Sequence, residues 1–111
     1  MIQYYFLVAS QDFLLYQEPI EEILRERINH YKNLNKDIDF AFTTNLSFLD
    51  DPDLKYIKKQ LLKPSAAIIS RNPQFINWLK LRIHYAIKGS FLSASMQIQN
   101  TIASFDKINA P

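Results

Sequence analysis

The spacing of hydrophobic and polar positions changes several times along the chain, and each spacing predicts a different element. Residues 2–10 (IQYYFLVAS) are apolar on both alternating faces, which predicts a central strand that is covered on both sides. Residues 36–45 (KDIDFAFTTN) alternate cleanly, with Ile38, Phe40 and Phe42 on one face. This second segment is therefore predicted to be a strand with one exposed face.

Two further segments, residues 19–34 and residues 51–64, have the spacing of apolar residues that is typical of helices. Residues 19–34 place their apolar side chains on one face, with acidic residues in the first turn and Pro19 where a helix tolerates proline. Residues 51–64 are predicted to form a shorter helix, with Asp51 as its cap and Pro52 at its first position. The apolar stripe of this shorter helix consists of Leu54, Ile57 and Leu61.

The last part of the chain permits two interpretations. Residues 65–70 (SAAIIS) are predicted to be a short strand, apolar on both faces. Residues 72–89 are predicted to be one continuous helix, because an Asn-Pro start, a basic last turn and a final glycine are typical helix ends. The competing interpretation ends that helix near Leu81 and makes residues 82–89 (RIHYAIKG) a strand. Residues 90–94 (SFLSA) are predicted to form an edge strand.

The resulting order of elements is strand, helix, strand, helix, strand, helix, strand, without internal repeats. A chain of 111 residues holds one hydrophobic core. The sequence therefore predicts a single α+β domain over residues 1–94. The polar tail, residues 95–111, lacks strong helix caps, so we expect it to be mobile or loosely docked.

Composition narrows the class of protein further. Cysteine is absent from the sequence, which excludes disulfide bonds and thiolate metal sites and is typical of a reducing compartment. The formal net charge is only +2, and basic residues are interleaved with acidic ones, so nucleic-acid binding is not expected. The first residues lack the basic stretch of a signal peptide, and no segment reaches the roughly 20 apolar residues that span a bilayer. We expect a soluble, cytosolic protein.

The sequence offers no recognisable catalytic or metal-binding constellation. His30 and His84 are far apart and belong to no spaced ligand motif. The aspartates within residues 50–53 lack the spacing and glycine of a calcium loop, and a helix cap explains them better. The single glycine, Gly89, excludes a phosphate-binding glycine loop. We therefore expect neither an enzyme active site nor a bound metal or cofactor.

Arg27 lies in the middle of the apolar face of the first predicted helix. One interpretation is that its aliphatic stem packs on the core while the guanidinium reaches water. The other is an ion pair with a carboxylate of the following strand, for which Asp37 and Asp39 are the candidates. The sequence leaves both open.

The stretch FINWLKLRIHY, residues 75–85, contains a candidate binding surface. On a continuous helix, Trp78, Arg82 and Tyr85 lie at i, i+4 and i+7 along the border of the core face, where Arg82 reaches both rings in a cation–π contact. These three residue types are enriched at binding hot spots. The alternative is a helix buried over a wide arc, in which Arg82 holds a local carboxylate.

Several blocks of the chain have an order and spacing that are typical of a known family: YYFLVAS, EPIEEILRERINHY, NKDIDF, AAIIS and FINWLKLRIHYAIKGSF. From about Tyr4 to Phe91 the chain resembles the Ycf54 family. That family is a small cyanobacterial and chloroplast accessory factor of the aerobic magnesium-protoporphyrin IX monomethyl ester oxidative cyclase. The resemblance implies an α+β fold with a largely antiparallel sheet of about four strands packed with three main helices.

The resemblance also implies a function. It implies a non-catalytic subunit without cofactors, which binds the di-iron catalytic subunit of the cyclase and supports protochlorophyllide formation. Its location would be the cytoplasm of a cyanobacterium or the chloroplast stroma, with attachment to thylakoids through the partner. Asp39, Phe40 and Arg82 are the partner-binding residues that the resemblance implies, and Trp78 and Tyr85 join them from the stripe. The alternation of residues 36–45 instead places Phe40 in the core.

A second hypothesis comes from the surplus of aromatic residues. Eight Phe and six Tyr are plentiful for a chain of this length, and part of them would line an apolar pocket that carries a porphyrin. An isolated enzyme is the least favoured hypothesis.

Overall fold

The computed structural model describes residues 1–17 and 20–93, and they form one four-stranded antiparallel sheet with helices on both of its faces. The predicted α+β class and the alternating order of elements are confirmed. The elements are β1 (Ile2–Ser10), a π-helical turn (Phe13–Gln17), α1 (Ile20–Asn33), β2 (Phe40–Thr43), a 3₁₀ turn (Ser47–Asp50), α2 (Lys55–Lys58), β3 (Ser65–Ser70), α3 (Pro73–Arg82) and β4 (Ile87–Ser93). The predictions for Pro19 and for the tail concern residues outside this described part.

Strand β1 is central, as its pattern predicts. The strand order is β2-β3-β1-β4, so β1 pairs with β3 on one side and with β4 on the other. Alternate residues of β1 belong to two separate cores. Because both faces of the sheet are covered, β1 needs apolar side chains at nearly every position. Strand β3 has the same surroundings, and all six of its residues are buried.

Helices α1 and α3 cover one face of the sheet, and the segment that contains the 3₁₀ turn and α2 covers the other. The first core joins Leu7 of β1 to the inner sides of α1 and α3, and the second joins Phe6 of β1 to Leu49 and Ile57. Complete burial of such side chains contributes about 1.5–3 kcal/mol each to folding. The two outer surfaces of the molecule are therefore separated by the sheet.

Two predicted elements are shorter than expected. Residues 51–64 form only the four-residue α2. Asp51 does not cap that helix, since its carboxylate accepts the backbone N–H of Asp53 at 2.9 Å in a local turn. The predicted stripe is nevertheless correct, with Leu54 and Ile57 buried. Strand β2 covers Phe40–Thr43 rather than residues 36–45, and Phe40 and Phe42 point into the core as predicted.

The prediction of one continuous helix from residue 72 to residue 89 is wrong. Asn72 does begin α3, because its side chain accepts the N–H groups of Gln74 and Phe75. The helix ends at Arg82, however, and Gly89 lies in β4, opposite Phe6 of β1. This outcome is close to the competing interpretation. The edge strand expected at residues 90–94 is confirmed for its described residues, as the second half of β4.

Gly89 is required by a neighbouring ring and not by a helix end. A Cβ atom at this position would lie 2.5 Å from Cζ of Phe6, whose side chain is fully buried. That distance is far shorter than a van der Waals contact, so either the ring or the strand must move. The glycine therefore allows the edge strand to pack tightly across the Phe6 ring.

We expect Gly89→Ala to lower the free energy of unfolding by about 1–3 kcal/mol, the usual cost of overpacking a core. Urea denaturation of the purified protein measures this cost. Ser90→Ala is the matched control, since Ser90 is the exposed next residue of the same strand, and its effect should stay within about 0.5 kcal/mol. A Gly89→Ala variant as stable as the wild type would show that Phe6 moves without cost.

Candidate partner-binding surface

The turn after α1 places Asp39 beside that helix. Asn35 has a φ of 53°, in the left-handed region that asparagine tolerates better than most residues. The N–H of Lys36 donates to the carbonyl of Tyr31 at 2.9 Å, and the N–H of Asn35 donates to that of Lys32 at 3.1 Å. These two bonds form a Schellman-type helix end. The chain therefore reverses at once and returns along the last turn of α1.

Tyr31 connects Arg27 to Asp39. The tyrosine hydroxyl donates to Oδ1 of Asp39 at 2.9 Å and accepts from Nη2 of Arg27 at 3.0 Å. Lys36 adds a weaker contact, with Nζ 3.8 Å from Oδ2 of Asp39. The structure shows no direct ion pair of Arg27 with Asp37 or Asp39 among the described residues: the guanidinium reaches Asp39 through a hydroxyl group, and Asp37 is exposed.

The guanidinium of Arg27 also lies over the ring of Phe75 on α3. Its Cζ is 3.9 Å from the ring centroid of Phe75 and 5.1 Å from that of Tyr31. The Nε atom is buried without a hydrogen-bond partner. A cation–π contact at this distance is worth about 1–2 kcal/mol when it is shielded from water, which offsets part of the cost of that buried N–H.

The contacts continue outwards along α3. The rings of Phe75 and Trp78 are stacked with centroids 6.3 Å apart, and Cζ of Arg82 lies 5.6 Å from the Trp78 centroid. The predicted cation–π contact between Trp78 and Arg82 is thus present. Asp39, Tyr31, Arg27, Phe75, Trp78 and Arg82 form one connected set, which we call the arginine–aromatic row.

The outer end of the row is the part that a partner can reach. Trp78 is 44% exposed and Arg82 is exposed. Within residues 1–17 and 20–93, the Arg82 guanidinium has no ion pair and no hydrogen bond, so the alternative in which it holds a local carboxylate finds no support there. An exposed guanidinium beside the face of an indole presents a planar cation that suits a carboxylate.

Tyr85 does not belong to the row. Because α3 ends at Arg82, Tyr85 lies in the turn before β4 and not on the helix. It is 83% exposed, and its ring packs edge-to-face on Phe13 with centroids 5.7 Å apart. The prediction that Arg82 bridges two rings is therefore correct only for Trp78.

Phe40 supports the row from inside the core. It has no exposed surface, and its ring lies 5.7 Å from Tyr31 and 5.2 Å from Phe75, centroid to centroid. The alternation of the strand predicts this burial. In this structure Phe40 therefore has no surface that a partner could contact, and its packing supports the two rings.

The sequence reasoning missed Tyr31 and Phe75 as members of the row. Tyr31 follows Arg27 at i+4 on the same apolar face, and this spacing was the available signal. Phe75 lies in the core, and its contact with Arg27 has no local signal in the sequence. The contact between Arg27 and Phe75 depends on how α1 and α3 pack together.

We expect Tyr31→Phe to lower the free energy of unfolding by about 1–3 kcal/mol, because Nη2 of Arg27 and Oδ1 of Asp39 both lose a partner while the ring remains. Thermal and urea denaturation measure this change. Tyr56→Phe is the control, since that hydroxyl is on a residue that is 59% exposed, and it should be nearly neutral. Equal stability of both variants would mean that the hydroxyl of Tyr31 does not hold the row.

Among residues 1–17 and 20–93, no group of three or more His, Cys, Asp or Glu side chains is placed to hold a metal ion. No helix in the same part of the chain is long and apolar enough to cross a membrane.

These features define a small α+β protein with an open antiparallel sheet and a partly exposed arginine–aromatic surface. Comparison with known proteins places it more closely: the chain belongs to the Ycf54 family, whose model matches residues 2–93. Two relatives and one solved structure show the extent of the similarity.

The chain is 50% identical over 111 residues to a protein of the red alga Pyropia yezoensis described as uncharacterized protein ycf54, covering 97% of this chain and 100% of the relative. It is 31% identical over 110 residues to the chloroplastic protein YCF54 of Arabidopsis thaliana, covering 95% of this chain and 51% of the relative. The structure of the Ycf54 protein from Synechocystis superposes with a TM-score of 0.80 at 42% identity, covering 96% of this chain and 99% of that one. Relatives thus occur in cyanobacteria, red algae and plants.

Proposed function

We propose that this protein is a non-catalytic accessory factor that binds the catalytic di-iron subunit of the magnesium-protoporphyrin IX monomethyl ester cyclase. In this role it supports protochlorophyllide formation in chlorophyll biosynthesis. The proposal extends the family membership and the resemblance of the quoted sequence blocks. It places the protein in the cytoplasm of a cyanobacterium or in the chloroplast stroma, at thylakoids through its partner.

The observation that carries the proposal is the outer end of the arginine–aromatic row. Arg82 is exposed, lies beside the face of a half-exposed Trp78, and is unpaired within the described residues. Residues of these types provide most of the binding energy at protein interfaces. Asp39, with 14% of its side chain exposed, lies at the inner end and holds Arg27 through Tyr31. Its role in binding is therefore to position the row.

Affinity purification from a photosynthetic cell extract tests this proposal. The tagged protein should capture the cyclase catalytic subunit, while the purified protein alone should contain no stoichiometric iron and should not convert the porphyrin ester. Stoichiometric iron together with turnover by the isolated chain would make it an enzyme and would contradict the proposal. Absence of the catalytic subunit from the captured material would contradict it as well.

A porphyrin carrier is the second candidate, because one cleft is lined by several aromatic and aliphatic side chains that are partly or fully exposed. Phe13, Leu61, Leu62 and Tyr85 surround a space of about 290 Å³, with Lys63 at the edge. Pockets that bury a drug-sized ligand usually have volumes of about 300–1,000 Å³, so a macrocycle would remain largely uncovered here.

Titration of the porphyrin ester against the fluorescence of Trp78 distinguishes the two candidates. Saturable quenching at low concentration that disappears in Tyr85→Ala would favour the carrier, because Tyr85 lines the cleft and lies outside the row. The accessory role predicts no saturable quenching. Phe40→Ala is unsuitable for this titration, because loss of that buried ring disturbs the whole core.

A further inference from the structure

The outer side of α2 and of the turn that follows it carries a second surface, which we call the lysine patch. It consists of Lys55, Tyr56, Lys59, Leu62 and Lys63, all of which are exposed. The opposite side of the same segment is fixed to the sheet, since Leu54 and Ile57 are buried in the second core. At helical spacing the patch residues of α2 therefore point away from the protein.

The segment that carries the patch contains charges of one sign only. Residues 54–63 contain four lysines and no acidic residue. Lys58 forms an ion pair with Asp50. Within the described residues the three patch lysines have neither an ion pair nor a side-chain hydrogen bond. Asp51 and Asp53 precede the segment, so its own charge comes from lysines alone.

The apolar members of the patch are unusually uncovered. Leu62 is 93% exposed and Tyr56 is 59% exposed. Leu62 is one of the residues that line the cleft described above, yet its side chain remains almost fully exposed. Because Leu62 is almost fully exposed, its side chain contributes no burial free energy to the stability of the fold.

We propose that the lysine patch binds the surface of a bilayer that contains anionic lipids. The lysines contact phosphate headgroups, while Leu62 and Tyr56 enter the boundary between headgroups and acyl chains. An acidic protein segment would match the lysines, but a bilayer matches both the charges and the exposed leucine. The patch lies on the face of the sheet opposite to the arginine–aromatic row, so both surfaces are accessible at once. This inference does not depend on the proposed cyclase partner.

Sedimentation of the purified protein with lipid vesicles tests this inference. We expect binding to phosphatidylcholine vesicles that contain phosphatidylglycerol, no binding to phosphatidylcholine alone, and release at high salt because surface charges are then screened. Lys55→Gln/Lys59→Gln/Lys63→Gln should weaken the partition about a hundredfold, since each lysine near an anionic surface is worth about fivefold. Leu62→Ser should weaken it about tenfold or more.

The matched control removes the same amount of charge from the other face. Lys32, Lys80 and Lys88 are not part of the patch, and the last two contact groups on or next to α3. Their triple change to Gln should leave vesicle binding within about threefold of wild type, because the charge near the membrane is kept. Equal loss in both triples would show attraction by net charge and would overturn the inference. Absence of sedimentation with anionic vesicles, or preferential binding of soluble polyglutamate, would overturn it as well.

Discussion

Replacing Phe40 with alanine is expected to lower the free energy of unfolding by about 3–5 kcal/mol, the cost of removing a large ring from a well-packed core. Phe40 has no exposed surface and packs between the rings of Tyr31 and Phe75. The cavity would also release both of these rings, and with them the inner half of the arginine–aromatic row. Urea denaturation gives the loss of stability, and partner capture from an extract gives the loss of binding.

Phe40→Leu is the matched control, because leucine restores most of the apolar contact. We expect it to cost less than about 1.5 kcal/mol and to keep most of the partner binding. The opposite pattern, a Phe40→Ala protein of normal stability that does not bind, would mean that the ring contacts the partner directly. It would then have to leave the core when the complex forms.

Replacing Arg82 with alanine is expected to leave the fold nearly intact and to weaken the proposed complex by about 2 kcal/mol or more, which is roughly thirtyfold in affinity. Arg82 is exposed and contacts only the face of Trp78 among the rings of the described residues. Its removal should therefore change the free energy of unfolding by no more than about 0.5 kcal/mol. In cells, the cyclase substrate should accumulate and protochlorophyllide should decrease.

Two variants make this prediction specific. Leu79→Ala on the same helix removes a fully buried side chain and should cost about 2–5 kcal/mol of stability. Arg25→Ala removes an exposed arginine that pairs with Glu21 on α1 and is not part of the row, so it should leave binding unchanged. Its effect on the free energy of unfolding should also be small, because such surface pairs contribute little to stability. If Arg82→Ala destabilises the protein as much as Leu79→Ala, the arginine is structural. Undiminished binding at normal stability would also reject the interface.

The sequence predicts those parts of the fold whose causes are local. Strand β1 could be recognised because burial on two faces leaves a continuous apolar run, and the face of β2 that carries Phe40 followed from alternation alone. The boundary between α3 and β4 could not be recognised in the same way. A glycine after a basic turn is typical of a helix end, and only the position of Phe6 in the folded sheet shows why Gly89 is needed.

In the candidate site, too, the local contacts could be predicted from the sequence and the contacts that depend on the fold could not. The contact between Trp78 and Arg82 is local and was predicted from the spacing i, i+4 on one helix. The prediction that Tyr85 lies on the same helix was wrong, because it depended on where that helix ends. The link from Asp39 to Arg27 uses the hydroxyl of Tyr31, and a pattern of charges along the chain contains no information about such an intermediate group.

The central position of β1 has a consequence for the order of events during synthesis. Its two neighbours in the sheet are made much later: Tyr5 pairs with Ser70, and Phe6 pairs with Gly89. A growing chain therefore carries its long central strand without either partner until β3 has been made, and without its second partner until β4 follows. Contacts between residues so far apart in sequence form slowly, and an unpaired apolar strand is prone to aggregation during that time. Ribosome-associated chaperones that shield exposed strands would act on the beginning of this chain.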